Sequence, residues 1–384
     1  MKGPLKIGAY HLQKNGRTES HVKDIADCGI DYIIGLNRDY DTLDLFAKYG
    51  IGAIVEGAVP GWWGGLGDNA GKLRETNPLE RYDEKAADFR DHPSIIGVCT
   101  GDEPSALDFP YYGTVIEKVR SLFPGKIPYL NLYASYGVTA DCPVPLEKQF
   151  GTATYEEHLE EYAKNVPLDY LSFDHYPYSA TPEGYIENLR TVSRICRKYG
   201  REMWAVIQVN SSTPDRWISE NQLRFQGFSA LAFGADRITW ACYSAGWWHN
   251  QVLDRDGNKT EQYEKLKQVN RELKAVAKVC EGYGYAGDHT VAAGEKLDVL
   301  DVTFESDCPA VIGEMGTADY GVLLICPVDD PMDTCPREHV FTVNARGKRV
   351  TVSGCDGFIP TETEKSGAIT FRLLSSHGAT VRVG

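Results

Sequence analysis

The chain has 384 residues, with 54 acidic and 40 basic side chains and a formal charge of −14. That balance excludes a nucleic-acid binder, which needs a basic face toward phosphate, and leaves neutral sugars open as ligands. Hydrophobic residues make up 42% and charged residues 24%, which fits a globular protein with room for one large domain and one small one.

Eight short apolar runs, bounded by Gly, Pro or Asp, recur along the first two-thirds of the chain: residues 6–12, 31–37, 52–59, 95–103, 127–133, 169–176, 202–209 and 237–244. They have the look of buried parallel strands. Amphipathic stretches alternate with them, among them ESHVKDIADCG, DTLDLFAKYG, YEEHLEEYAKN, YIENLRTVSRICRKYG and NQLRFQGFSALAFGA. Several stop at a glycine: Gly50, Gly200 and Gly234. Eight β-then-α units over roughly 250 residues predict an α/β fold, a TIM (β/α)8 barrel, closed by a helix over 260–280. From about residue 284 the pattern turns to short alternating stretches (KLDVLDVTF, YGVLLICPV, HVFTVNA, KRVTVSG, AITFRLL, ATVRVG). These predict a small antiparallel β-sandwich. The expected domains are therefore a barrel over 1–283 and a sandwich over 284–384.

The opening MKGPLKIGAYHL has no apolar signal core, and no apolar run is long enough to span a membrane. A cytoplasmic protein without membrane partners is expected. The ten cysteines (28, 99, 142, 196, 242, 280, 308, 326, 335 and 355) show no C-x-x-C spacing. Free buried thiols are expected, with no disulfide framework, metal or cofactor. His11, His175 and His249 have no metal-ligand spacing. DRDGN (254–258) lacks the terminal Glu of a calcium loop and is expected to make a turn.

In a TIM barrel the chemistry sits at the C-terminal strand ends. Here those ends offer His11, then Asn37 with Arg38 and Asp39, then Glu56, then Asp102 and Glu103. Further on come Asn131 and Tyr133, Asp174-His175-Tyr176, Gln208, and Tyr243. Paired tryptophans, Trp62-Trp63 and Trp247-Trp248, stand in Gly-rich loops, where flat rings can stack on sugar faces. The ring of residues is polar, acidic and aromatic. It has no strand-end Lys for a Schiff base and no Gly-rich phosphate loop.

Glycoside hydrolysis needs two carboxyl groups flanking the scissile bond, one of them protonated. Glu103 is the expected proton donor, and Asp174 or Asp102 the second carboxylate. The competing structural roles are helix capping for Asp102 and Glu103, a buried Asp174–His175 hydrogen bond, and an Arg partner for Glu56. His11, Asn37, Glu56, Trp62, Trp63, Asn131, Tyr133, His175, Tyr176, Gln208, Tyr243, Trp247 and Trp248 are expected to contact a carbohydrate.

IIGVCTGDEP, DYLSFDHYPY, MWAVIQV, LAFGADRITWACYS and LDRDGNKTEQYEKLKQVNREL resemble the β-galactosidase-type barrels of the large retaining glycosidase clan, over about residues 5–280. The resemblance implies that Glu103 takes the acid/base place and that Asp102 replaces an Asn that contacts the sugar 2-hydroxyl. It also implies that Tyr176 sits beside the nucleophile. That nucleophile is a strand-seven Glu, and Gln208 stands at the closest position here. Three expectations follow: another carboxylate serves, the substrate supplies its own nucleophile, or the barrel binds glycans without cleaving them. An adjacent Asp-Glu on strand four also resembles β-hexosaminidases, in which the Asp orients a 2-acetamido group. The C-terminal domain resembles accessory domains that pack on such barrels, bind glycan or build a homo-oligomer.

Overall fold

A computed structural model describes residues 3–37, 39–86, 92–137, 144–179, 183–244, 246–316, 320–354, 361–363 and 367–384. Arg38, Cys142 and Cys355 lie outside the described residues. Eight strands close a parallel barrel in chain order: β1 Lys6–Tyr10, β2 Tyr32–Leu36, β3 Gly52–Val55, β4 Ile95–Asp102, β5 Ile127–Leu132, β6 Tyr170–His175, β7 Glu202–Gln208 and β8 Ala235–Ala241. The helices are α1 Glu19–Asp27, α2 Tyr40–Tyr49, α3 Leu73–Thr76, α4 Glu80–Lys85, α5 Phe109–Leu122, α6 Leu146–Phe150, α7 Tyr155–Asn165, α8 Glu183–Tyr199, α9 Glu220–Ala232 and α10 Gln262–Val279. The TIM barrel expected from the apolar runs is present.

Local chemistry sets the helix boundaries. Thr18 and Asp39 accept hydrogen bonds from His21 N and Thr42 N at the starts of α1 and α2. Thr154 with Glu157, and Ser219 with Gln222, close reciprocal capping boxes on α7 and α9. α2 stops at Gly50, whose φ of 71° a residue with a Cβ adopts at a cost. DRDGN folds as a turn: the Asp254 carboxylate accepts from the backbone N–H groups of Asp256 and Asn258.

The C-terminal segment is an antiparallel sandwich of two sheets. The strands are β9 Tyr285–Val291, β10 Lys296–Val299, β11 Val302–Ser306, β12 Ala310–Gly316, β13 Gly321–Pro327, β14 Glu338–Asn344, β15 Val350–Gly354, β16 Thr361–Thr363, β17 Ala368–Leu374 and β18 Ala379–Val383. One sheet runs β10-β11-β14-β17 and the other β16-β15-β18-β13-β12-β9. Phe341 stacks on Phe371 (5.5 Å) and meets Phe304 at a tilt (5.7 Å) in the core. KLDVLDVTF, which reads as one stretch, is a hairpin. Leu300 and Asp301 have φ of 49° and 62°, and Val299 pairs with Val302. A two-residue turn with both central φ positive matches strand twist, and nothing in Leu-Asp announces it.

The described chain divides into two compact units. One comprises Met1–Leu5, Trp217–Ile238 and Glu264–Gly384; the other comprises Lys6–Arg216 and Thr239–Tyr263. Within the first, Arg224 of α9 and Glu272 of α10 form a buried two-point ion pair at 2.6 and 2.7 Å. Among the described residues, no helix is long and apolar enough to cross a membrane. The described cysteines are free; Cys335 is exposed and the others are buried or half-buried.

Candidate active site

Neighbouring residues on a strand point to opposite faces, so Asp102 and Glu103 should part company. They do not, because Glu103 has a φ of 45°, in the left-handed region. Its N–H donates to Asn131 O at 2.8 Å, which fixes the kink against β5. The loop after β3 closes over it: Asp102 N donates to Trp62 O (2.9 Å), and Gly64 N donates to Asp102 O (3.0 Å). A Cβ on Gly64 would stand 1.7 Å from the Glu103 carbonyl oxygen, so only glycine permits this approach. The loop then presents Trp63, whose indole N–H donates to Glu103 Oε2 at 2.9 Å. His11 repeats the device on β1: its φ of 60° turns it to the mouth beside Tyr10, with ring centroids 5.7 Å apart.

Asn131 organises the floor. Its Nδ2 donates one hydrogen to Asp102 Oδ1 (3.2 Å) and the other to Asp174 Oδ1 (2.9 Å). The amide cannot flip without loss, because its Oδ1 accepts from Ser172 Oγ at 2.9 Å. Ser172 Oγ lies 3.1 Å from Tyr129 Oη, which lies 2.8 Å from Tyr10 Oη. This hydrogen-bonded chain runs across β1, β5 and β6 and ends on two carboxylates.

A cavity of about 250 Å³ opens beside it, lined in part by Tyr10, Asn37, Glu56, Trp62, Asp102 and Tyr129. Asp102 exposes its side chain to this cavity while lying deep within the barrel mouth. Trp63 and Trp247 stand exposed at the rim. The Trp247 ring packs edge-on against His11 (5.4 Å) and Tyr10 (6.0 Å), and Trp248 against Tyr176 (5.0 Å).

Burial raises all three central carboxyls. Asp102 is lifted to about 6, against the pull of Asn131 and helped by the charge of Glu56. Asp174 is lifted to about 8 by burial and by Asp102, with Asn131 opposing. Glu103 rises well above the usual range, by burial and by the charges of Asp174 and Asp102; Trp63 opposes weakly. The order has a physical reason. Each carboxyl gains one side-chain N–H donor, but Glu103 faces the charges of both Asp174 and Asp102, whereas Asp174 faces that of Asp102 and Asp102 that of Glu56. Asp102 is therefore the first of the three to ionise as pH rises, and Asp174 and Glu103 keep their protons to higher pH. Burial lowers His11, with Glu56 opposing, so its ring tends to the neutral form.

Not every expected residue reaches the mouth. His175 continues the regular strand and so faces away from Asp174. Its Nδ1 meets Asn188 Oδ1 of α8 at 2.9 Å, its ring packs on Tyr136 and Tyr185, and burial lowers it to about 4. The expected Asp174–His175 hydrogen bond is replaced by Asn131–Asp174 and His175–Asn188. Gln208 is completely buried. Its Nε2 donates to Ser179 Oγ (2.8 Å) and Asn210 O (2.9 Å), and its Oε1 accepts from Tyr178 N (3.0 Å). Tyr243 is buried, with Cys28, Tyr263 and Asp24 as its electrostatic neighbours, away from the acidic cluster. Tyr133 is a buried prop that donates to Gly65 O at 3.1 Å and so supports the tryptophan loop.

Tyr10, Tyr129 and Ser172 belong to the site and were not read from the sequence. A signal existed: Tyr129 and Ser172 lie two residues before Asn131 and Asp174, hence on the same strand face. Among the described residues, the group of three metal-ligand-type side chains with donor atoms within 4.8 Å of one another lies elsewhere, at Asp307, Cys308 and His339.

No protein-family model and no curated protein matches this sequence. Solved structures do match in fold. One described as "Glycoside hydrolase" is 12% identical, with a TM-score of 0.56 over 99% of this chain and 92% of that one. A GH2 β-galacturonidase from Eisenbergiella tayi, bound to galacturonate, is 14% identical, with a TM-score of 0.50 over 70% of this chain and 51% of that one. The barrel with its C-terminal sandwich is thus an architecture found among glycoside hydrolases.

Proposed function

We propose that this chain is a glycoside hydrolase in which Glu103 is the general acid. Asp102 is the carboxylate that faces the sugar, and Asp174 is paired behind it through Asn131. The barrel segment 1–283 carries the chemistry, and segment 284–384 is an accessory domain. The observation that carries the reading is a cluster of three unequally raised carboxyls, in which Asp102 is open to the cavity and the first to ionise, and the adjacent Glu103, held by Trp63, is raised well above the usual range. Such a group can give its proton to a departing glycosidic oxygen while an ionised neighbour supports the positive anomeric carbon. The exposed faces of Trp63 and Trp247 offer stacking surfaces for the substrate's sugar rings.

The test is hydrolysis of a panel of aryl glycosides and oligosaccharides. Glu103→Gln should lower kcat about 10²- to 10⁴-fold on substrates with poor leaving groups, and less on activated aryl glycosides, which need little protonation. Equal turnover by the variant and the parent would remove Glu103 from the role.

A second reading is favoured by one observation: Asp102 is adjacent to the acid and open to the cavity, while strand seven offers only the fully engaged Gln208. In that reading a 2-acetamido group of the substrate attacks the anomeric carbon, and Asp102 orients it. Aryl 2-acetamido-2-deoxyglycosides should then be cleaved and their 2-hydroxyl counterparts should not. The opposite preference rejects it.

A further inference from the structure

At one end of the sandwich three different donor types converge. Asp307 and Cys308 form the turn from β11 to β12, and so cross from one sheet to the other. His339 is the second residue of β14. One donor atom from each lies within 4.8 Å of the others. The turn is braced from both sides: Asp307 N donates to Val340 O (3.1 Å), and Val328 N donates to Pro309 O (2.9 Å). Cys308 is buried, with Ser306 Oγ 3.6 Å from its sulfur.

The histidine ring is the telling part. Its Nε2 lies 3.1 Å from Asp329 Oδ2, just past β13. An ionised carboxylate only accepts, so Nε2 carries the hydrogen. The opposite nitrogen, Nδ1, then faces Asp307 Oδ1 at 3.3 Å. That separation is long for a charge-assisted hydrogen bond of about 2.7–2.9 Å. It is close to the spacing of neighbouring donors around a tetrahedral metal, about 3.3–3.7 Å for metal–ligand bonds of about 2.0–2.3 Å. A ring whose far N–H is held by a carboxylate, with its near nitrogen facing a second carboxylate and a thiol within the same 4.8 Å group, is the arrangement metal-ligating histidines adopt. Arg337 also approaches Asp329, at 3.7 Å, while its shortest ion pair is with Asp333 at 2.8 Å.

We propose that Asp307 Oδ1, Cys308 Sγ and His339 Nδ1 form a structural zinc-type site that ties the two sheets of the sandwich together, with Asp329 orienting the histidine. A thiolate–imidazole–carboxylate set suits zinc over magnesium or calcium, which prefer all-oxygen ligands. The fourth position falls to water. A thiol must lose its proton to ligate, so the metal displaces that proton when it binds. Sequence spacing does not flag the site, because the histidine comes from a different strand pair.

The test uses the full-length protein after chelator treatment, titrated with zinc or cobalt alone. One equivalent should bind per chain. Cobalt should give a thiolate-to-metal charge-transfer band and intense tetrahedral d–d bands, and zinc should raise the unfolding midpoint. Cys308→Ala should remove the charge-transfer band, His339→Ala should abolish binding, and Asp329→Asn should weaken it about 10- to 100-fold. The alternative is an imidazolium held between Asp307 and Asp329. It predicts no metal binding in the parent, or cobalt spectra without a thiolate band that Cys308→Ala leaves unchanged, and either result overturns the proposal.

Discussion

Asn131 Nδ2 donates to Asp174 Oδ1 at 2.9 Å and, with its other hydrogen, to Asp102 at 3.2 Å. One amide thus bridges two carboxyl groups, of which the charge of Asp102 raises Asp174. Removing it as Asn131→Ala takes a donor from each ionised form, so both carboxyls must rise. The acid limb of the kcat/KM profile should move to higher pH by about one unit, since a hydrogen bond to a charged group contributes about 1.5–3 kcal/mol, part of which water restores. A loss of rate with no movement of the limb would mean that Asn131 only supports the strand.

Asp174 makes stability depend on pH. Its carboxyl sits at about 8 in the fold, against 3.8 for the free group. Between those values the folded chain keeps a proton that the unfolded chain has released. The stability this contributes is complete below about pH 4 and is lost steadily as pH rises toward 8. Urea unfolding at pH 5 and at pH 8 should therefore show a smaller decline for Asp174→Asn than for the parent, by about 1–3 kcal/mol. Equal declines would mean that Asp174 ionises normally in the fold.

Gln208 separates a lost nucleophile from a structural amide. Gln208→Glu restores a carboxylate at strand seven, but it turns a donor to Asn210 O and Ser179 Oγ into an acceptor. It should destabilise the protein by about 2–4 kcal/mol and leave hydrolysis no faster. A gain in turnover would show that the position still faces the anomeric carbon.

Gly64 is the contact on which the placement of Glu103 depends. Gly64→Ala drives a methyl into the Glu103 carbonyl and within 2.6 Å of Tyr133 Oη. The loop must move and take Trp63 with it. We expect a loss of about 1–3 kcal/mol in stability and at least about a tenfold drop in kcat/KM, because small misplacements of acid groups are costly. Unchanged kinetics would show that the Trp63–Glu103 contact is dispensable.

Much of the fold was legible because its signals are local. The eight strands are short apolar runs with punctuation at both ends, and the observed strands fall within or within two residues of them. The helices carry their caps in the sequence, as Thr154 with Glu157 does. Other elements were not legible. β9 and β12 gave no stretch that stood out, and the β10–β11 turn is hidden in Leu300-Asp301, which take left-handed backbone without a glycine.

The site divides along the same line. The sequence by itself determined which residues stand at the strand ends: Asp102, Glu103, Asn131, Asp174 and Gln208 are where the apolar runs stop. It did not determine which way they face. Strand alternation permits only one of Asp174 and His175 to look inward, and the tertiary structure chose Asp174 by giving His175 to Asn188. At Asp102 and Glu103 the structure suspends the rule: a left-handed residue, braced by Asn131 O and by the bare backbone of Gly64, brings both acids to one place. Those braces come from β5 and from the loop after β3. A side chain's direction at such a kink is fixed by contacts distant in sequence, and so only the folded barrel could decide it.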